Sequence, residues 1–271
     1  VLYLKAVILA VVEGLTEFLP ISSTGHLIIV EEYLTFGDDR QFAWLFTVAI
    51  QFPAILSVVV YFRDRLWPFQ RDPGERRRRI TLWLKVAAAF VPAACLGLLL
   101  NDFIEERLTA VVPVAIALVV GGVLLILIEG RRLAPRMNTV HEIGFRTAVI
   151  IGFFQCLAMI PGTSRSAATI IGAMLAGVAR AAAAEFSFFL AIPTMLGATV
   201  VTLMDGTVAL TGEQWALLGV GSVVSFLVAY ASIAFLMNYI RQHDFKVFGY
   251  YRIGLAVIVL VYALVTGQWR G

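Results

Sequence analysis

The stretch AVVEGLTEFLPISSTGH at residues 10–26 decides the fold, because it places polar and ionisable groups inside an otherwise apolar segment. Glu13 and Glu17 interrupt the first apolar run, and Pro20 with the serines behind it opens a break. Neither half of the run reaches the roughly 20 residues that a membrane-spanning helix needs. The stretch therefore predicts a helix–loop–helix hairpin over residues 1–36 that enters a membrane and leaves on the same side.

A second interrupted segment, residues 144–178, has the same organisation. Its apolar runs are broken by the string PGTSRS, and each run is again too short to span. When Pro20 is aligned with Pro161, residues 21–24 pair with residues 162–165. The sequence therefore predicts a second re-entrant hairpin that repeats the first.

Composition makes lipid the solvent of the remaining chain. Of the 271 residues, 60% are hydrophobic and 14% are charged, whereas soluble domains carry about 25% charged residues. The net charge of +3 gives no reason to expect a nucleic-acid partner. These properties predict an all-α polytopic membrane protein whose surface contacts the lipid bilayer. Six segments are apolar and long enough to span it: 43–62, 80–100, 110–128, 185–204, 216–239 and 251–268.

Loop charges assign the two sides of the membrane. Arginine and lysine concentrate in the segments 63–79, 130–146 and 241–252, which the positive-inside rule places in the cytoplasm. The alternate loops are acidic, so they and both chain termini are expected outside. The two hairpins then enter from opposite sides. This arrangement predicts an inverted-topology repeat, 1–135 and 136–271, in which each half is a hairpin followed by three spans.

Glu13 and Glu17 lie four residues apart, so they share one face of a helix. Two carboxylates at membrane depth repel each other unless a cation or a shared proton lies between them. The pair therefore predicts a divalent-metal site with oxygen ligands, or a general acid–base pair. The alternative is an interfacial helix with a solvated acidic edge.

The first loop gathers hydroxyls, backbone amides and one histidine within five residues. His26 is a candidate base toward water or a serine, or a nucleophile itself. Without the neighbouring glutamates, the same serines would more often be a helix cap. Hydroxyls and free amides at a helix start also bind anions, which predicts a phosphate site formed by Ser22, Ser23, Thr24 and Gly25.

The second loop contains Arg165, which needs an anionic partner at membrane depth. Its planar guanidinium suits phosphate oxygens, and the flanking Thr163, Ser164 and Ser166 add hydrogen-bonding groups. The alternative is a structural salt bridge with Glu185 or with the carboxylates of the first hairpin. Three further polar positions in apolar segments are expected to support the site through helix–helix hydrogen bonds: Gln51, Gln155 and Glu185.

Two segments, EGLTEFLPISSTGH at 13–26 and PGTSRSAATI at 161–170, resemble the signature segments of the bacterial undecaprenyl-diphosphate phosphatase family of the bacitracin-resistance type. The resemblance extends to AEFSFFLAIP at 184–193 and covers nearly the whole chain. It implies a multi-pass enzyme of the bacterial cytoplasmic membrane that hydrolyses undecaprenyl diphosphate and so recycles the lipid carrier of peptidoglycan synthesis. It also implies an inverted repeat with re-entrant hairpins.

The resemblance implies roles for individual residues as well. Glu13 and Glu17 are expected to bind a divalent cation, Mg²⁺ or Ca²⁺, and Ser23, His26 and Arg165 to act in catalysis and phosphate binding. We expect in-line phosphoryl transfer at a site open to the outer face, with His26 as base and Glu17 orienting His26 or the metal. The nucleophile stays open between Ser23, His26 and water. The oligomeric state also stays open, with a homodimer as one possibility. The competing function is a polyprenyl-phosphate flippase, which needs the Arg165 anion site but no nucleophile.

Overall fold

The computed structural model describes residues 1–34, 36, 40–108, 110–131, 134–205 and 210–267, and these form a helical bundle. Within those ranges lie eleven α-helices, one short 3₁₀ helix at Leu157–Met159 and a single isolated β-bridge. The α-helices are α1 (Leu2–Thr16), α2 (Ser23–Tyr33), α3 (Arg40–Tyr61), α4 (Arg63–Leu66), α5 (Pro73–Leu108), α6 (Val111–Gly130), α7 (Phe145–Cys156), α8 (Arg165–Leu175), α9 (Arg180–Asp205), α10 (Gly212–Tyr239) and α11 (Lys246–Thr266).

Six of the described helices are long and apolar enough to cross a membrane, which confirms the prediction of an all-helical polytopic protein. Five of them begin before the predicted spans. In the three that begin earliest, at Pro73, Arg180 and Lys246, the added residues include arginine or lysine, whose side chains reach the polar boundary. The six spanning segments are Gln41–Tyr61, Pro73–Leu100, Val111–Gly130, Arg180–Val200, Gly212–Tyr239 and Lys246–Thr266.

Two pairs of short helices occupy the predicted hairpins. In the first, α1 packs against α2, and in the second α7 packs against α8. The longest of the four, α1, has 15 residues. At about 1.5 Å per residue it is roughly 22 Å long, short of the roughly 30 Å hydrocarbon core of a bilayer. None of these four helices is long enough to cross a bilayer on its own.

Helices from the first half of the chain pack against helices from the second half. α1 packs against α10 and α7 packs against α5, while α2 contacts α11 and α8 contacts α6. α3 also packs against α9, and α6 against α11, with one helix from each half in both pairs. The first hairpin reaches the fully buried core, where Phe18 packs edge to face on Phe188 of α9 with ring centroids 5.7 Å apart.

Helices α6 and α11 cross in backbone contact. A Cβ atom added to Gly122 would lie 2.6 Å from the carbonyl oxygen of Gly249, and one added to Gly249 would lie 2.7 Å from that of Gly122. Neither position accepts a side chain unless the two backbones move apart, so small residues set this crossing. Beside it, a Cβ on Gly121 would lie 2.4 Å from Nη2 of Arg252. The crossing therefore leaves space for one long side chain from α11.

Candidate active site

The two hairpin loops end in the same local structure. Ser22 is the N-cap of α2 and Ser164 is the N-cap of α8. Each serine side chain accepts a hydrogen bond at 3.3 Å, from the backbone N–H of Gly25 and of Ala167 respectively. Both serines have a positive φ, 76° for Ser22 and 68° for Ser164. Residues other than glycine rarely adopt such angles, and they concentrate at functional sites.

These caps correct the alignment of the two loops by one residue. Aligning the prolines pairs Ser23 with Ser164, but the shared geometry pairs Ser22 with Ser164. The second loop has one more residue between its proline and its cap, and Gly162 in that interval has a φ of +90°. Ser23 of the first loop therefore corresponds to Arg165 of the second, each being the first residue of its helix.

Arg165 joins the two loops through Glu17. Its Nη2 and Nε atoms lie 3.2 and 3.4 Å from Oε1 of Glu17, and its Nη1 donates to the carbonyl oxygen of Ser187 at 3.1 Å. The two charged side chains are only 9% and 12% exposed. Of the two salt bridges considered from the sequence, the one with the first hairpin forms. Glu185 instead pairs with Arg65, at 2.5 Å.

Ser23 contacts the other oxygen of the same carboxylate. Its Oγ donates to Oε2 of Glu17 at 3.0 Å. Glu17 and His26 are not hydrogen-bonded to each other, because both ring nitrogens of His26 have other partners. The alternative, that Glu17 orients the metal, stays a prediction. A cation, a carboxylate and a hydroxyl instead form one connected group at the junction of the loops. This group resembles a nucleophile beside its base, with the base held by a third residue.

His26 belongs to a separate pair with Tyr251, a residue that sequence reasoning misses. Nδ1 lies 2.7 Å from the carbonyl oxygen of Ser22, and Nε2 lies 2.7 Å from Oη of Tyr251. A carbonyl only accepts, so Nδ1 carries a proton and Nε2 of the neutral ring accepts from the tyrosine. The two rings also stack, with centroids 5.6 Å apart. A tyrosine near a helix end carries no sequence signal for this role.

The remaining hydroxyls predicted to bind phosphate have different surroundings. Ser166 is fully buried and donates to the carbonyl oxygen of Leu19 at 2.9 Å, so it ties the second loop to the first. Ser164 and Ser166 share a 3.0 Å hydrogen bond. Thr24 is exposed, whereas Thr163 is half-buried. Ser22 and Ser164 cap helices, as the structural alternative for these serines anticipated.

The three residues expected to support the site lie elsewhere in the helices that surround it. Gln155 accepts a hydrogen bond from Thr194 at 3.2 Å, which is the helix–helix bond expected of it. Glu185 binds Arg65, and Gln51 is half-buried in α3. Glu13, in contrast, is completely buried one helical turn before Glu17.

The prediction that the segment 241–252 is a cytoplasmic turn is wrong at its end. Arg252 lies inside α11 and is completely buried. The positive-inside rule counts arginines without regard to burial, so it treats an interior arginine as a loop residue. The sequence signal for the burial of Arg252 is that it is a single charge at the edge of a long apolar run. An ionisable residue within a membrane segment generally faces the protein interior and marks a functional position.

The fold and the site define a polytopic helical membrane protein in which a buried arginine–carboxylate–serine group lies between two capped loops. Residues 6–258 match the family described as bacitracin resistance protein BacA, and the chain belongs to that family.

Curated relatives match the chain almost from end to end. It is 49% identical over 260 residues to undecaprenyl-diphosphatase 1 of Clostridioides difficile (strain 630), with 95% of each chain covered. It is 51% identical over 268 residues to undecaprenyl-diphosphatase of Limosilactobacillus fermentum, with 96% of each covered. It is 47% identical over 264 residues to undecaprenyl-diphosphatase of Enterococcus faecalis, covering 95% of this chain and 96% of the relative.

Proposed function

We infer that this chain is an integral membrane phosphatase that hydrolyses undecaprenyl diphosphate to undecaprenyl phosphate and inorganic phosphate. Relatives of that name are 47%, 49% and 51% identical to it over nearly its full length. The observation that carries the inference is the contact of Arg165 and Ser23 with the same carboxylate, Glu17. The reaction recycles the carrier lipid of peptidoglycan synthesis, and the family description connects it to bacitracin resistance.

Arg165 has two successive partners in this mechanism. Before substrate binds, Glu17 neutralises its guanidinium. The terminal phosphate can present two oxygens to the guanidinium, as a carboxylate does, and it carries more negative charge. The guanidinium therefore turns toward the phosphate oxygens. When Arg165 turns to the phosphate, the Glu17 carboxylate stays in contact with the Ser23 hydroxyl. Phosphate binding thereby frees one oxygen of Glu17 from its salt bridge.

Ser23 is the nucleophile that this geometry favours. Glu17 takes the hydroxyl proton as Oγ attacks the terminal phosphorus, the bond to the bridging oxygen breaks, and undecaprenyl phosphate leaves. Water then hydrolyses the phosphoserine, which restores the hydroxyl and releases inorganic phosphate. Both ring nitrogens of His26 already have partners, so His26 acts as a base only through or after displacing the Tyr251 hydroxyl.

A divalent cation, Mg²⁺ or Ca²⁺, is proposed to bind at Glu13 and Glu17. The donors here are carboxylate and hydroxyl oxygens, which both ions prefer, so the residues fit the ion. Within the described part of the chain, no three acidic, histidine or cysteine side chains are grouped to hold a metal. The protein would therefore supply two carboxylates and leave the other positions to phosphate and water. When bound, the ion neutralises charge on the diphosphate.

The two halves, 1–135 and 136–271, are proposed to form an inverted-topology repeat with re-entrant hairpins. Their packing supports this, since exchanging the halves converts the α1–α10 contact into α7–α5 and the α2–α11 contact into α8–α6. With the arginine-rich loops in the cytoplasm, both termini lie outside. The site then opens to the outer face of the bacterial cytoplasmic membrane, where the first hairpin enters.

Phosphate release from undecaprenyl diphosphate by the purified protein in detergent tests the function. We expect release that a chelator abolishes and that added Mg²⁺ or Ca²⁺ restores, because the diphosphate needs charge neutralisation at the Glu13–Glu17 end of the site. Glu13→Gln should require more cation for the same rate. Binding of the lipid without release would contradict hydrolysis and favour the flippase. Full turnover in excess chelator would rule out the cation.

Replacing Arg165 separates a phosphate ligand from a purely structural salt bridge. Arg165→Lys keeps the charge but loses the planar fork, so we expect a loss on the order of 2–4 kcal/mol of transition-state stabilisation. This corresponds to roughly a hundredfold lower turnover or more. The melting temperature without substrate should change little. Arg180→Lys is the matched control, because Arg180 also pairs with a buried carboxylate, that of Glu129. A destabilised Arg165→Lys protein with near-normal turnover would show the structural role alone.

Labelling of single cysteines tests the orientation. In a background with Cys95→Ala and Cys156→Ala, an impermeant thiol reagent should label Glu213→Cys in intact cells and spare Arg77→Cys. Both positions are exposed, so accessibility does not separate them. Both should react once the membrane is permeabilised. Labelling of Arg77→Cys from outside would overturn the proposed orientation of the spans.

A further inference from the structure

Arg252 is a completely buried cation whose described partners are all neutral. Its Nη2 donates to the carbonyl oxygens of Gly162 at 3.0 Å and Ala117 at 3.1 Å. Its Nε donates to Leu118 at 3.3 Å, and its Nη1 to Pro20 at 3.4 Å. Four donors thus satisfy backbone groups, but across the described ranges no carboxylate lies within salt-bridge distance of the guanidinium. Burying a charge without a counter-ion is costly, so the charge itself needs an explanation.

Two of the carbonyl acceptors belong to the two hairpin loops. Pro20 lies three residues after Glu17, and Gly162 lies three residues before Arg165. The same guanidinium therefore holds both loops on the segments next to the catalytic group. It reaches them through the α6–α11 crossing, where Gly121 leaves room for Nη2.

Charge balance gives Arg252 a second consequence. The site contains two buried or nearly buried carboxylates, Glu13 and Glu17, and Arg165, which pairs with Glu17. Before a divalent cation binds, these three side chains together carry more negative than positive charge unless Arg252 is counted with them. A diphosphate would then be repelled, and strongly so, because little water is present to screen the interaction. With Arg252, the charges of Glu13, Glu17, Arg165 and Arg252 sum close to zero.

We propose that Arg252 is a positioning residue that holds the two hairpin loops together from behind and supplies the positive charge that lets a diphosphate enter beside Glu13 and Glu17. This inference rests on the proposed function for the identity of the anion. Arg252 itself does not touch the substrate, since all its described donors point to backbone carbonyls.

Three variants separate the charge from the hydrogen bonds. Arg252→Gln removes the charge. Arg252→Lys keeps the charge but has fewer donors in a different geometry. Gly121→Ala keeps Arg252 but places a methyl group where Nη2 lies, which moves the guanidinium away from Gly162. Arg241→Gln is the matched control, because it removes one positive charge at an exposed position beyond the end of α10.

Binding of pyrophosphate and of Mn²⁺ should be measured separately on the full-length, lipid-free protein in detergent. For Arg252→Gln we expect pyrophosphate affinity to fall at least tenfold. Roughly tenfold is the effect of one unit charge on another about 10 Å away at an effective dielectric near 20, and pyrophosphate carries more than one negative charge. Mn²⁺ affinity should stay the same or rise, because a repelling charge is lost. Arg252→Lys and Arg241→Gln should bind pyrophosphate within about threefold of the unmodified chain.

A lower affinity for pyrophosphate without a lower affinity for Mn²⁺ distinguishes loss of the charge from distortion of the site. Equal loss of both affinities in Arg252→Gln, or no loss of pyrophosphate affinity, would overturn the role of the charge. Gly121→Ala should retain pyrophosphate affinity but lose at least tenfold in turnover, and normal turnover would overturn the role in holding the loops. If Gly121→Ala does not fold, Arg252→Lys gives the same comparison. Pyrophosphate binding without release of phosphate from the lipid would contradict the proposed function but leave the inference on Arg252 intact.

Discussion

The buried ion pair of Arg165 with Glu17 sets the condition that the rest of the structure meets. A guanidinium cannot enter an apolar interior alone, and neither can a carboxylate. Each hairpin carries one of the two charges, so neither loop is stable at this depth without the other. The hairpins must therefore stop at the same level, turn tightly and face each other. The capped serines, the buried Ser166 contact and the short helices all serve that requirement.

The ion pair is also poised to change partners. An arginine in a structural salt bridge keeps its carboxylate partner, whereas an arginine in a phosphate-binding site exchanges the carboxylate for phosphate. Glu17 already accepts the Ser23 hydroxyl on its second oxygen, so in the proposed mechanism release of Arg165 leaves the proposed base in contact with the proposed nucleophile. The His26–Tyr251 pair lies beside this group with its own proton. Arg252 keeps the loop backbones in place from behind while these side chains rearrange.

The sequence predicts the parts of this structure that depend on transfer from water to lipid. Hydropathy locates the six spans and both hairpins, and the cost of buried charge identifies Glu17 and Arg165 as interior groups. The sequence cannot predict which partner each charged side chain takes, because the pairing depends on where helices from distant segments cross. Glu185 binds Arg65 rather than Arg165 for this reason. The rule for loop charges counts Arg252 with a cytoplasmic segment because it carries no information on burial. The one-residue offset between the two loops depends on backbone angles, which an alignment of the prolines does not detect.

The central claim is that Arg165 and Glu17 act as one unit, and a double-mutant cycle on kcat/KM tests it most directly. Arg165→Lys and Glu17→Asp keep both charges but spoil the geometry, so turnover stays measurable. If the residues act together, the double variant should lose little more activity than the worse single variant, which is strong coupling. If the losses simply multiply, the two residues act independently, and the exchange of Arg165 between Glu17 and phosphate is contradicted.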